Sequence, residues 1–151
     1  MEFKQLSQDQ LKEICAIEQI AQINPWTSQM FMDAMQAGNY CCVLEVNNNV
    51  LGYAVLSVVT DEAELLNICI HSNYQSQGYG KALFKHLVEY AKQHKVQKIF
   101  LEVHEANQQA VNFYRNCGLQ QFGVRKDYYR HTKQPGDALI LVLNLYFACH
   151  R

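Results

Sequence analysis

Hydrophobic positions change their spacing along the chain, and each change of period marks an element. Residues 2–6 read as a short strand. Ser7 can cap a helix over residues 8–21, where Leu11, Ile14, Ile17 and Ile20 recur every third position and are expected along roughly one face. Asn24-Pro25-Trp26-Thr27 interrupts that run, and Thr27 or Ser28 can cap a second short helix that Gly38 ends. Two runs rich in β-branched residues, 40–46 and 50–60, flank Asn47-Asn48-Asn49 and predict a hairpin, with a further strand over 64–70. Helical spacing returns over 78–94, with Leu83, Leu87 and Ala91 on one stripe and Lys81, Lys85, Glu89 and Lys92 turned outward. A strand over 96–103, a helix over 107–117 closed by Gly118, and strands over 119–125 and 138–147 complete the chain. The order β-α-α-β-β-β-α-β-α-β-β predicts a mixed α/β sheet with crossover helices.

Composition narrows this picture. The 151 residues are 49% hydrophobic and 18% charged, with 7 Gly and 2 Pro, which suits one folded domain over residues 1–151 and excludes collagen-like and disordered chains. Lys and Arg number 13 against 14 Asp and Glu, so any affinity for nucleic acid or membrane would need a local patch. The six cysteines (Cys15, Cys41, Cys42, Cys69, Cys117, Cys149) form no CxxC pair and no zinc spacing, and read as core filler in a reducing compartment. The amino terminus has no basic-then-apolar leader. The longest uncharged apolar run, 138–149, is shorter than the ~20 residues a bilayer requires, so a soluble, cytoplasmic protein is expected.

Candidate chemistry first appears between Ile70 and Leu83. An apolar strand ends at Ile70, the turn that follows from His71 leads to Gly78 and Gly80, and an amphipathic helix follows. Glycines there let backbone N–H groups approach an anion, and the helix terminus adds partial positive charge, so phosphate or pyrophosphate is the natural ligand. A Walker loop would need Gly and Ser/Thr where Gln75 and Ala82 stand, and a dinucleotide fingerprint would need Gly at Leu83. What remains is Gln75-x-x-Gly78-x-Gly80.

A second stretch places Glu102 at the end of an apolar strand and Tyr114 two helical turns after Asn107. Glu102 reads either as a strand-end carboxylate reaching water or as a general base. Tyr114 reads either as a core tyrosine or as the acid that protonates a leaving thiolate.

The Gln75-x-x-Gly78-x-Gly80 turn resembles the acyl-CoA pyrophosphate loop of the GNAT family of N-acetyltransferases. The string Leu101-Glu102-Val103 … Asn107 … Ala110 … Tyr114 … Gly118-Leu119 is similar to its bacterial ribosomal-protein-alanine N-acetyltransferases (RimI-type). Asn24-Pro25-Trp26-Thr27 and Arg125-Lys126-Asp127-Tyr128-Tyr129 agree, and the likeness runs from about Leu6 to Leu145. It implies the acyl-CoA N-acyltransferase fold: a mostly antiparallel sheet of about seven strands with four helices, splayed at the acyl-CoA cleft. It implies acetyl-CoA as co-substrate, without metal. Ile68, Cys69 and Ile70 would meet the acetyl and pantetheine portion, and Gln75, Ser76, Gln77, Gly78, Tyr79, Gly80 and Lys81 the pyrophosphate. Asn107 would be a further acetyl-CoA contact, Glu102 the proton acceptor and Tyr114 the proton donor. Trp26, Tyr128 and Tyr129 are candidates for substrate contact, against packing. The implied partner is a protein N-terminus, that of a ribosomal protein, with no direct nucleic-acid contact and no membrane.

Two departures stand out: Ser76 where such turns often carry Arg, and Arg-Lys-Asp-Tyr-Tyr in place of Arg-x-Asn-Tyr-Tyr. The first bears on CoA affinity, the second on peptide specificity. An α-amine has a pKa of about 7.7–8.0 against about 10.4 for lysine, so deprotonating lysine near neutrality costs about 3 kcal/mol more. That favours N-terminal acetylation. A lysine or small-amine acetyltransferase and a non-catalytic acyl-CoA-binding module are the alternatives.

Overall fold

A computed structural model describes residues 1–145. Its elements follow the predicted order: β1 (Glu2–Gln5), α1 (Leu11–Ala21), α2 (Ser28–Gln36), β2 (Tyr40–Val46), β3 (Asn49–Val59), β4 (Glu62–Ile70), α3 (Tyr79–Gln93), β5 (Lys98–His104), α4 (Gln108–Asn116), β6 (Gln120–Arg125) and β7 (Ala138–Asn144). Short 3-10 turns occupy Gln8–Gln10 and Ser72–Tyr74. The strands form one mixed sheet of seven strands in the order β1-β2-β3-β4-β5-β7-β6. Cys149 and the end of the strand predicted over 138–147 lie outside the described residues. No described helix is long and apolar enough to cross a membrane.

By its contacts the chain forms two compact units, one of Met1–Ser57 with Leu66–Glu89, the other of Val58–Leu65 with Tyr90 onward. In the first, β1 pairs antiparallel with β2 and β2 with β3. Asn47 and Asn48, both at positive φ (53° and 66°), close the tight hairpin. A two-residue turn of this hand matches the twist of the strands it joins. The core gathers Leu6, Leu11, Ile14, Phe31, Val43, Tyr53 and Val55.

Ile20 departs from expectation: it is 77% exposed, while Glu18 is buried at 1%. A step of three residues drifts by about 60° on a helix of 3.6 residues per turn, so three steps from Leu11 carry Ile20 about half a turn away. Glu18, seven positions from Leu11, falls back onto the inward stripe.

In the second unit β5 is the hub. It pairs in parallel with β4 from Glu62↔Lys98 to Glu64↔Phe100, and both strands continue beyond those pairs. It pairs antiparallel with β7 over its whole length, Glu102 opposite Ile140 and His104 opposite Ala138. Burial alternates along β5: Ile99, Leu101 and Val103 are buried, whereas Phe100, Glu102 and His104 are half-buried on the other face. β6 pairs with β7, but its register shifts between Gln121 and Gly123, leaving Phe122 as an extra residue. A strand changes face at every residue, so one inserted position reverses all that follow. Arg125 thereby pairs with Ala138, the partner of His104, and joins the face that carries Glu102.

Candidate active site

The first unit carries the residues expected to hold acyl-CoA. Along β4, Asn67 and Cys69 are buried, while Ile68 and Ile70 are half-exposed. Cys69 therefore offers a ligand its backbone and not its thiol, which burial pushes up to about 11. Burial likewise pushes Cys41 to about 11 and Cys42 to about 12, and all five described cysteines are free. None of the three buried thiols is a thiolate nucleophile near neutrality.

Gln75 turns back on this strand, its Nε2 donating to Ile70 O at 3.0 Å. Ser76 and Gly78 take positive φ (61° and 91°), which bends the chain into the first turn of α3. Ala82 N–H donates to Gly78 O at 3.1 Å. Among the described residues, the N–H groups of Ser76, Gln77, Gly78, Tyr79, Gly80 and Lys81 have no hydrogen-bond acceptor. That row of open donors at a helix N-terminus fits a pyrophosphate, with the exposed Lys81 beside it.

Sequence reasoning missed two residues here. Gly52 on β3 lies so close to β4 that a Cβ would sit 2.8 Å from Cys69 O and 2.5 Å from Ile70 Cδ1. Only glycine permits that approach. Glu18 is the second. Its Oε1 accepts from the Tyr53 hydroxyl (2.8 Å), and its Oε2 from Asn67 Nδ2 (3.0 Å) and Trp26 N–H (3.0 Å). A buried carboxylate without a cation is tolerated only when its lone pairs are so filled. Gln22 extends the network to Asn67 Oδ1 (3.2 Å) and Ile68 O (3.3 Å). Trp26 is half-buried with its ring 5.0 Å from Phe31, and Thr27 caps α2 by accepting from Met30 N–H at 3.2 Å.

The second unit carries the residues expected to act on the amine. Glu102 is nearly covered, with 13% of its side chain exposed, and Arg125 Nη1 donates to its Oε1 at 2.6 Å. The same guanidinium lies 4.5 Å over the Tyr128 ring. Burial raises the Tyr128 phenol above its usual range, and the Glu102 carboxylate raises it further. Glu64, on β4, has burial as the main cause of its raised pKa; the charge of Glu102 adds to the rise and that of Arg125 offsets it.

His104 fixes the loop after β6. Its Nδ1 accepts from Ala106 N–H (3.0 Å), which leaves the proton on Nε2 to be donated to Gln134 O (2.8 Å). Its ring stacks on Tyr129 with centroids 4.6 Å apart, and Gly136 packs against it so closely that a Cβ would meet Cε1 at 2.6 Å. Tyr129 N–H donates to Gly136 O at 3.1 Å, and Asp127 N–H to Asp137 Oδ1 at 2.8 Å. The loop is thus tied to β5, and it brings Tyr128 and Tyr129 to the Glu102 cluster.

Asn107 caps α4, its Oδ1 accepting from Ala110 N–H at 3.1 Å, and is exposed. Tyr114 is buried two turns later, its ring edge-on to Phe113.

Comparison with known proteins accords with this arrangement. The Acetyltransferase (GNAT) family model matches residues 5–119. The ribosomal protein bS18-alanine N-acetyltransferase of Escherichia coli (strain K12) is 34% identical over 127 residues, covering 84% of this chain and 86% of that protein. The crystal structure of the Escherichia coli ribosomal-protein-S18-alanine N-acetyltransferase matches with a TM-score of 0.87 at 31% identity, over 95% of this chain and 92% of that one. A GNAT family acetyltransferase from Elizabethkingia anophelis, solved with acetyl-CoA bound, shares the fold with a TM-score of 0.74 at 18% identity, over 86% and 89% of the two chains. A strand order of this kind, the turn before α3 and a family match over most of the described length lead to one conclusion: the chain is a member of the GNAT acetyltransferase family.

Proposed function

We propose that this protein transfers the acetyl group of acetyl-CoA to the N-terminal α-amine of a protein, specifically the N-terminal alanine of a small-subunit ribosomal protein, in the cytoplasm. The observation that carries the substrate is the 34% identity over 84% of the chain to a relative named for that reaction. The row of open N–H groups from Ser76 to Lys81 supports acetyl-CoA as the donor.

In this reading Glu102 takes the proton of the attacking amine through a water molecule, using the oxygen that Arg125 leaves free. Backbone N–H groups on the Ile68–Ile70 segment polarise the thioester carbonyl, and Tyr114 protonates the departing sulfur. No covalent enzyme intermediate is needed, in keeping with the elevated Cys69 thiol. Trp26, Tyr128 and Tyr129 contact the peptide. Asn107 contacts acetyl-CoA, and since its Oδ1 is engaged in the cap, its side-chain amide N–H is the group it can offer.

Acetyl-CoA incubated with an alanine-first peptide, its N-blocked lysine-containing counterpart and polyamines, with products read by mass, tests the substrate. Acetylation of the α-amine alone is expected; acetyl on lysine or polyamine alone would overturn the assignment, and CoA binding without product would favour a binding module. Tyr114→Phe is expected to lower kcat about 100-fold, within the range for loss of a general acid. Unchanged turnover in a folded variant removes Tyr114 from the chemistry.

A further inference from the structure

The face that carries Glu102 does not balance its charge. Glu102 is matched by Arg125 at 2.6 Å. Glu62 on β4 is matched by Lys98 on β5 at 3.4 Å. His104 has its Nδ1 accepting and its Nε2 donating, the pattern of a neutral ring. The phenols of Tyr128 and Tyr129 are held above their usual range, chiefly by burial, and stay uncharged. β7 contributes Ile140 and Val142, which do not ionise.

One carboxylate is left over. Glu64 stands opposite Phe100, two residues before Glu102 on the same face of β5, and makes no hydrogen bond or ion pair among the described residues. Folding alone gives no reason to keep it. Glutamate is disfavoured in strands, and here it is half-buried beside a like charge.

A single positive charge placed on this face would neutralise it. We propose that Glu64 is a specificity-determining residue that draws the substrate's N-terminal ammonium to the Glu102 face of the sheet. The inference rests on the reading of this site as one for α-amine acetylation. An α-amine with a pKa of about 7.7–8.0 is mostly cationic at neutral pH, so it arrives as the ion the face lacks. Arg125 holds Glu102 in place, and Glu64 supplies the uncompensated attraction.

The test compares wild type, Glu64→Gln and Glu64→Asp in steady-state kinetics with an alanine-first peptide. Glu64→Gln is expected to raise the KM for peptide about tenfold while kcat and the KM for acetyl-CoA stay within about twofold, with partial recovery in Glu64→Asp. The KM of wild type should also rise with added NaCl, and that dependence should flatten in Glu64→Gln. An unchanged peptide KM, or an equal rise in the KM for acetyl-CoA, overturns the role of Glu64 while leaving α-amine acetylation standing. If wild type acetylates only lysine or polyamines, the α-amine reading and the role of Glu64 fall together.

Discussion

Arg125 Nη1 lies 2.6 Å from Glu102 Oε1, so the carboxylate expected to accept the amine's proton is held by a cation from β6, the strand beyond β7. The guanidinium also covers the Tyr128 ring at 4.5 Å, which joins Glu102, Arg125 and Tyr128 in one cluster.

Removing that guanidinium should disable the base without removing it. For Arg125→Gln we expect kcat/KM to fall tenfold or more, as loss of a charge-assisted hydrogen bond of about 1.5–3 kcal/mol implies. Arg125→Lys should recover part of the loss, because an ammonium supplies the charge without the planar fork. Wild-type kinetics in Arg125→Gln would place the ion pair outside the reaction.

Glu64 sets a pH-dependent stability test. Its pKa is raised in the folded state, mainly by burial and then by the charge of Glu102. Below the free-chain value of about 4.3 the group is protonated whether folded or not, and costs nothing. As pH rises through the folded-state value, the ionised carboxylate disfavours folding. Glu64→Gln should therefore melt higher than wild type at pH 7, with the difference shrinking toward pH 4. Thermal melts at the two pH values check this, and a lower melting temperature for the variant at pH 7 contradicts it.

Glu18 predicts the opposite sign. Glu18→Ala strands the Tyr53 hydroxyl and the Asn67 amide, each a buried donor costing about 1–3 kcal/mol, together with the half-buried Trp26 N–H. A loss of about 3 kcal/mol should lower Tm by roughly 10 °C in a chain of this size. Glu18→Gln should lose less, since its amide oxygen can still accept from Trp26 and Asn67. Equal losses in the two variants would mean that the oxygens are not what matters.

The element order was legible because its signals are local: period, caps and glycines. Thr27, Gly38 and Gly118 punctuate the helices where their chemistry places them. The turn at Gln75-Gly78-Gly80 was legible for the same reason. Features that depend on distant partners were not. Glu18 looks like an ordinary polar residue until α1 is wound and its near-zero exposure is seen. Gly52 looks like a weak strand residue until β4 is laid beside it. The pairing of Arg125 with Glu102, 23 positions apart, depends on a register shift that alternation of side chains would have predicted wrongly.

That shift has a consequence for how the protein tolerates mutation. Phe122, 79% exposed and lacking a partner across the ladder, looks dispensable, and replacing its side chain should matter little. Deleting the residue removes only the bulge: Gly123 would follow Gln121 in a regular ladder and Arg125 would keep Ala138 as its partner, whereas one more residue inserted before Arg125 would carry it to the opposite side of the sheet, away from Glu102. In this strand the length of the backbone encodes electrostatics: an insertion that touches no ionisable group would act as the loss of a cation at the site.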